Sequence, residues 1–174
     1  MGKYTGTKLL ALFPNSVPNK DWRLVASGDS LTISEWNIPG VPKPTIEDIE
    51  SSISDEDVVK NIKVNKITSK RNEALKNLTA EWGGDTWDAN EDTSNRIASA
   101  LSMIREAKAL GIPTPPAIPW RTYDNKDRTL TIAELTQMGA AVFLAQQEVW
   151  AKQAQLKNAI DAAKTEAEVN AIEW

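Results

Sequence analysis

The chain has 174 residues, 41% of them hydrophobic and 25% charged, with a formal net charge of −4. Those proportions belong to an ordinary globular protein, long enough for one domain or for a domain and a small module. With no His and no Cys, it lacks imidazole bases, thiol nucleophiles, disulfides and the nitrogen and sulfur ligands of zinc sites.

Basic and acidic residues are interspersed rather than blocked. That speaks against nucleic acid or a membrane surface as partner, since both select a basic patch. No apolar run is long enough to span a bilayer. The opening MGKYTGTKLLALFPN is too short in apolar residues for a signal peptide, and Gly6 stands where myristoylation needs Ser or Thr. A soluble protein made in the cytoplasm is expected.

In chain order, TGTKLLALFP reads as a short apolar helix with Thr7 as N-cap and Pro14 as its stop. DWRLVASGDSLTISEWNI then alternates around Ser27-Gly28-Asp29, with Trp22, Leu24 and Ala26 on one side and Leu31 and Ile33 to meet them. This is a hairpin signal. Ile38 to Thr45 is rich in Pro and Gly and reads as a linker. Thr45 opens a short helix over 46–52, and Ser54 to Asp57 caps a longer one reaching about Leu78. Its expected apolar stripe is Val58, Ile62, Ile67, Leu75 and Leu78.

EWGGDTWDAN, Glu81 to Asn90, follows. With Gly84-Asp85 as the central pair of a turn, Trp82 and Trp87 become directly opposed aromatics on one face. A calcium loop is the rival reading, with Asp88, Asn90 and Asp92 in ligand spacing. Thr93, however, stands where that loop needs Gly, and Ser99 where it needs Glu. Asp88 to Glu91 fits a helix N-cap instead. Glu81 and Asp88 would oppose each other on the other face, too common a pairing to define a glycosidase. The expectation is a turn, with no metal and no cofactor.

Arg96 to Leu110 has Ile97, Leu101, Ile104 and Ala107 at helical spacing, closed by Gly111. IPTPPAIP is an extended connection, and WRTYDNKDRTLTI reads as a hairpin turning at Asp124 to Asp127. Thr131 and Glu134 form a capping box for the longest helix. Its stripe is Leu135, Met138, Val142, Ala145, Val149, Leu156, Ala159 and Ala163, broken at Lys152. That stripe suits either a coiled-coil seam or a face packed on the chain's own domain, and its alanines favour the second. Thr165 and Glu168 cap a short terminal helix.

Together these elements define an α+β chain in three parts. They are a β-containing module over 1–44, a linker with a short helix over 45–57, and a mainly helical domain with two hairpins over 58–174.

From about Val59 onward the chain resembles a C-terminal domain, of unknown biochemical function, found in many bacteriophage tail-fibre and tail-assembly proteins. KRNEAL, WGGDTWDAN, SNRIASAL, PWRTYDN, LTIAEL and LKNAIDAAKTEAEVNAI carry the resemblance, through Trp82, Trp87, Asp88, Ser94, Trp120, Arg121, Thr122 and Thr131. The first segment is similar to a small prophage tail-module family, through LFPN, DWRLVASGD, ISEWN and PKPTIEDIE. The resemblance brings no catalytic residues. It implies a virion-tail location and leaves the molecular role open. With no His or Cys and the acids taken up by caps and turns, a non-enzymatic structural or attachment role is expected, with a tail-fibre or baseplate protein as partner. An assembly chaperone, and after it a carbohydrate-binding or glycan-cleaving module, stay open, as does a homo-oligomer. Seven tryptophans are many for this length, and Trp is enriched at the energetic centres of interfaces. Trp82 and Trp87 are the first core candidates, whereas Trp150 and Trp174 are the expected partner-binding residues.

Overall fold

A computed structural model of the chain describes residues 3–174. Its elements are α1 (Thr5–Leu12), β1 (Trp22–Ser27), β2 (Ser30–Trp36), α2 (Ile46–Ser52), α3 (Asp55–Lys76), β3 (Thr79–Trp82), β4 (Asp85–Asp88), α4 (Glu91–Ala109), β5 (Ala117–Arg121), β6 (Asp127–Thr131), α5 (Ile132–Ala162) and α6 (Glu166–Ala171). Among the described residues the strands form three separate antiparallel hairpins, each from two consecutive strands. The chain is α+β, with a helix and hairpin first, then a helical region carrying two hairpins and the long α5. Two compact units form: residues up to Asn65 together with Ala159–Ile172, and Lys66–Asn158 together with Glu173–Trp174.

In the first unit, Leu9, Trp22, Ile33 and Ile49 make a buried cluster, with Phe13, Leu24, Trp36, Ile38 and Ile46 packed against it. The hairpin register places Leu24 opposite Ile33 and Ala26 opposite Leu31, as the alternation requires. Thr45 caps α2 in a full capping box with Asp48. Helix α1, however, begins at Thr5 after Tyr4, not at Thr7, and has no side-chain cap. The Thr5 hydroxyl is engaged elsewhere, donating to Glu50.

Lys8 is the unusual residue of this unit. Only 2% of its side chain is exposed, and its ammonium lies 2.8 Å from Glu50 Oε2 and 2.6 Å from Asp55 Oδ1. Burial pulls the Lys8 pKa down, but the hydrogen bonds to Asp55 and Glu50 outweigh it and hold it above the ordinary lysine value. The same bonds from Lys8 and Thr5 hold Glu50 below the usual carboxylate range.

Helix α3 is capped by Ser54, whose hydroxyl accepts from the Asp57 amide. Its buried residues are Val58, Val59, Lys63 and Ile67, while Ile62 is 45% exposed. The expected stripe is thus corrected at Ile62: 59 and 63, four apart, take the inward position, and the Lys63 ammonium donates to the Asn170 carbonyl.

The second unit is built around Ala80, Trp87, Ala89, Ile97, Trp120, Leu130, Leu135, Met138 and Val142. The β3–β4 turn differs from expectation by two residues in register: Trp82 pairs with Asp85, and Trp87 with Ala80. The central pair is Gly83-Gly84, with φ of 63° and 82°. Two left-handed residues suit a type I′ hairpin turn, whose twist matches that of the strands, and glycines adopt it without strain. A shift of two preserves the face, so the tryptophans still meet, now diagonally, with ring centroids 6.4 Å apart. The Trp87 indole N–H donates to the Trp82 carbonyl at 2.9 Å.

The N-cap of α4 is Asn90, whose side chain accepts from the Thr93 amide; Asp88 ends β4 instead. The far end closes as expected at Gly111. Its amide bonds to the Lys108 carbonyl and that of Ile112 to the Ala107 carbonyl, a Schellman arrangement. Strand β5 starts at Ala117, inside the stretch expected to be a mere connection, and Pro119 pairs with Thr129. A proline is tolerated because a two-stranded ribbon consists of edges.

The stripe of α5 is buried at Leu135, Met138 and Val142 in the second unit and at Ile160 in the first. It therefore packs within the chain, as the alanines suggested. The break at Lys152 disappears because the inward residue is Gln153, 4% exposed, while Ala159 is exposed beside buried Ile160. Gln153 is satisfied by Arg71 and Thr68 at 3.0 and 3.2 Å.

Candidate functional site: a cleft beside Trp150

The C-terminal end of α3, the N-terminal turn of α4 and the middle of α5 enclose a cleft of about 700 Å³ in the second unit. Asn72, Leu75 and Lys76 come from α3, Asn90, Glu91 and Asp92 from the entry to α4, and Gln146 and Trp150 from α5. These residues come together because Gln146, half-buried, ties α5 to the start of α4. Its side-chain amide donates to the Ala89 and Asn90 carbonyls and to Ser94 Oγ, at 2.8, 3.3 and 2.9 Å.

Trp150 is 45% exposed. The Arg71 guanidinium stacks 4.2 Å from its ring centroid and is itself held by Gln153 Oε1 and by Asn72. A buried glutamine therefore orients the arginine, and the arginine pins the indole. Trp174 is half-buried, with the Lys152 ammonium 4.9 Å from its ring centroid. The cleft lining of Lys76, Glu91, Asp92, amides and one indole offers hydrogen bonding, charge of both signs and a flat apolar wall. It presents no nucleophile paired with a base.

Trp82 is half-buried, whereas Trp22, Trp87 and Trp120 are the buried indoles at 5%, 1% and 8%. Sequence reasoning missed two exposed neighbours on α5, Phe143 at 57% and Leu144 at 61%. Their signal was there to read: a second apolar pair beside the buried stripe, in a stretch free of charge from Leu135 to Gln147. Glu81 accepts from Thr86 across the hairpin and does not oppose Asp88. Among the described residues no three acidic groups gather in a way that could hold a metal. No helix among them is long and apolar enough to cross a membrane.

Several residues that carry the phage resemblance are engaged in the fold itself. Trp87 and Trp120 lie in the core, Thr122 is buried in the β5–β6 turn, and Ser94 accepts from Gln146. Thr131 caps α5, its hydroxyl accepting from the Glu134 amide.

Residues 58–173 match a family described as Domain of unknown function (DUF4376), and the chain belongs to that family. Residues 7–57 match the family described as XkdW protein, which associates the N-terminal segment with a prophage-type protein. No curated protein and no solved structure matches the chain.

Proposed function

We propose that the chain is a non-enzymatic component of a bacteriophage tail, associated with a tail-fibre or baseplate protein and acting through protein–protein contacts. The XkdW match over 7–57 supports the phage setting. The observation that carries the contact role is Trp150: a large indole, nearly half exposed, yet pinned by Arg71 at the wall of a cleft. A side chain immobilised in advance loses little entropy on binding, as an interface anchor should. Trp174, at the chain's end in the same unit, is the second contact.

The test is co-expression with a tail-fibre protein. The wild type is expected to co-purify as a stable complex. Trp150→Ala combined with removal of Trp174 should weaken that complex, leaving the melting of the fold within a few degrees of wild type. Binding unchanged in the double variant removes these two residues from the contact. Mass spectrometry of purified virions separates a retained subunit from an assembly chaperone, which would be absent from the particle yet needed for soluble fibre.

One observation favours a second reading. Amides, carboxylates and an indole in one cleft are also the groups that hold a sugar. Quenching of tryptophan fluorescence by added oligosaccharides, lost in Trp150→Ala, would select that reading over a protein partner.

A further inference from the structure

Helix α5 has a second face besides the one it buries. Gln137, Ala140, Leu144, Gln147, Ala151 and Ala154 follow one another at steps of three and four, and all are exposed. This is the spacing of a coiled-coil seam. Phe143 and Trp150, seven residues apart, flank it on one side at 57% and 45% exposure, and Leu144 on the seam is 61% exposed. No Asp, Glu, Lys or Arg lies between Glu134 and Glu148. A charged partner would find nothing to pair with along that stretch.

The seam is complementary to itself. In an antiparallel pair of α5 helices with the two-fold axis between residues 145 and 146, Ala140 lies level with Ala151 of the mate. Leu144 then meets Gln147, and Gln137 meets Ala154. Each layer so formed combines at most one large side chain with a smaller or flexible one. On the flank, Phe143 comes within two residues, ~3 Å along the axis, of level with Trp150 of the mate, twice by symmetry. That is within reach of ring contact, and aromatic pairs contribute beyond the area they bury. Glu148 comes level with Phe143 and Lys152 with Gly139, so no like charges meet. An interface that repeats itself about a two-fold axis is the commonest way soluble chains associate.

We infer that the outer face of α5 over 137–154 binds a second copy of this chain in an antiparallel dimer. The inference deepens the proposed contact role, since it gives Trp150 a specific occupant, and it rests on that reading. The overlap is ~26 Å long at 1.5 Å per residue. Three large side chains with alanines and glutamines between them bury on the order of 500 Å² per protomer, against about 800 Å² for a standard stable interface. The dimer is accordingly a micromolar one, filled at the local concentration of an assembling particle.

Sedimentation of the full chain from about 1 to 200 μM, a range bracketing micromolar dissociation, should show a concentration-dependent monomer–dimer equilibrium. Phe143→Glu with Leu144→Glu should shift it at least ten-fold toward monomer with unchanged helical circular dichroism, because both side chains are already more than half exposed. The chain has no cysteine, so register can be read by oxidation. Ala140→Cys with Ala151→Cys should cross-link into a dimer, and neither single variant should, since like positions lie ~16 Å apart along the axis. A wild type that stays monomeric, a Glu variant that still dimerises, or single variants that cross-link as well as the double one would each overturn the inference. A monomeric wild type that still loses its fibre partner on Trp150→Ala would remove the dimer and leave the proposed function standing.

Discussion

Trp87 and Trp82 sit on one hairpin face, yet replacing each with alanine should have very different consequences. Trp87 is 1% exposed and central to the cluster of Ala80, Ala89, Ile97, Trp120, Leu130, Leu135, Met138 and Val142. Its truncation removes a fully buried indole, leaves a cavity walled by two helices and two hairpins, and removes the hydrogen bond from the indole N–H to the Trp82 carbonyl. Truncating a buried Trp costs about 3–5 kcal/mol, and the lost indole hydrogen bond adds roughly 1 kcal/mol more. Against a typical total of about 5–15 kcal/mol, that is a large share of the stability. Trp82 is half-buried and keeps only part of its area in contact, so its truncation should cost roughly 1–2 kcal/mol. Urea titration followed by circular dichroism gives both values, and Trp87→Ala should also melt roughly 10–20 °C lower. Equal losses for the two variants, or a larger loss for Trp82→Ala, would refute the claim that the hairpin is anchored through Trp87.

The Lys8 network makes stability depend on pH at both ends. Lys8→Met should cost about 1–3 kcal/mol near neutrality, less than a fully buried pair because Glu50 and Asp55 remain 27% and 56% exposed and can rehydrate. Glu50 is depressed below its ordinary 4.5, so its contribution is complete above that value and lost as pH falls through the folded pKa. Lys8 is raised above its ordinary 10.5, so its contribution is complete below that value and lost as pH rises through the folded pKa. The gap between wild type and Lys8→Met in denaturant titrations should therefore be widest between these limits and close at either side; a gap independent of pH would contradict the assignment. At Gly139 an added Cβ would lie 2.9 Å from Ile97 Cγ2, a branched methyl in the core. Gly139→Ala should cost ~1–3 kcal/mol in overpacking and recover up to ~1 kcal/mol in helix propensity. The expected outcome is a lower melting temperature, and a higher one would show that α4 and α5 are not in close contact there.

Local patterns carried much of this chain. Thr45 and Thr165 announce α2 and α6 because a capping box is complete within four residues of sequence. The three- and four-residue steps of α5 announce one long helix for the same reason: the period belongs to the backbone. Hairpin faces were equally legible, since a shift of two in the β3–β4 register leaves Trp82 and Trp87 on one side. Tertiary structure alone decided which of several compatible residues is used. Gly83-Gly84 prevails over Gly84-Asp85 because that register takes Trp87 into the core and gives its indole N–H a carbonyl. Gln153 prevails over Lys152 because Arg71 and Thr68 supply partners that sequence spacing cannot reveal. The cleft beside Trp150 was beyond sequence altogether. It exists because Gln146 draws α5 onto the start of α4, bringing together residues 72 to 150 through contacts with no periodic signature.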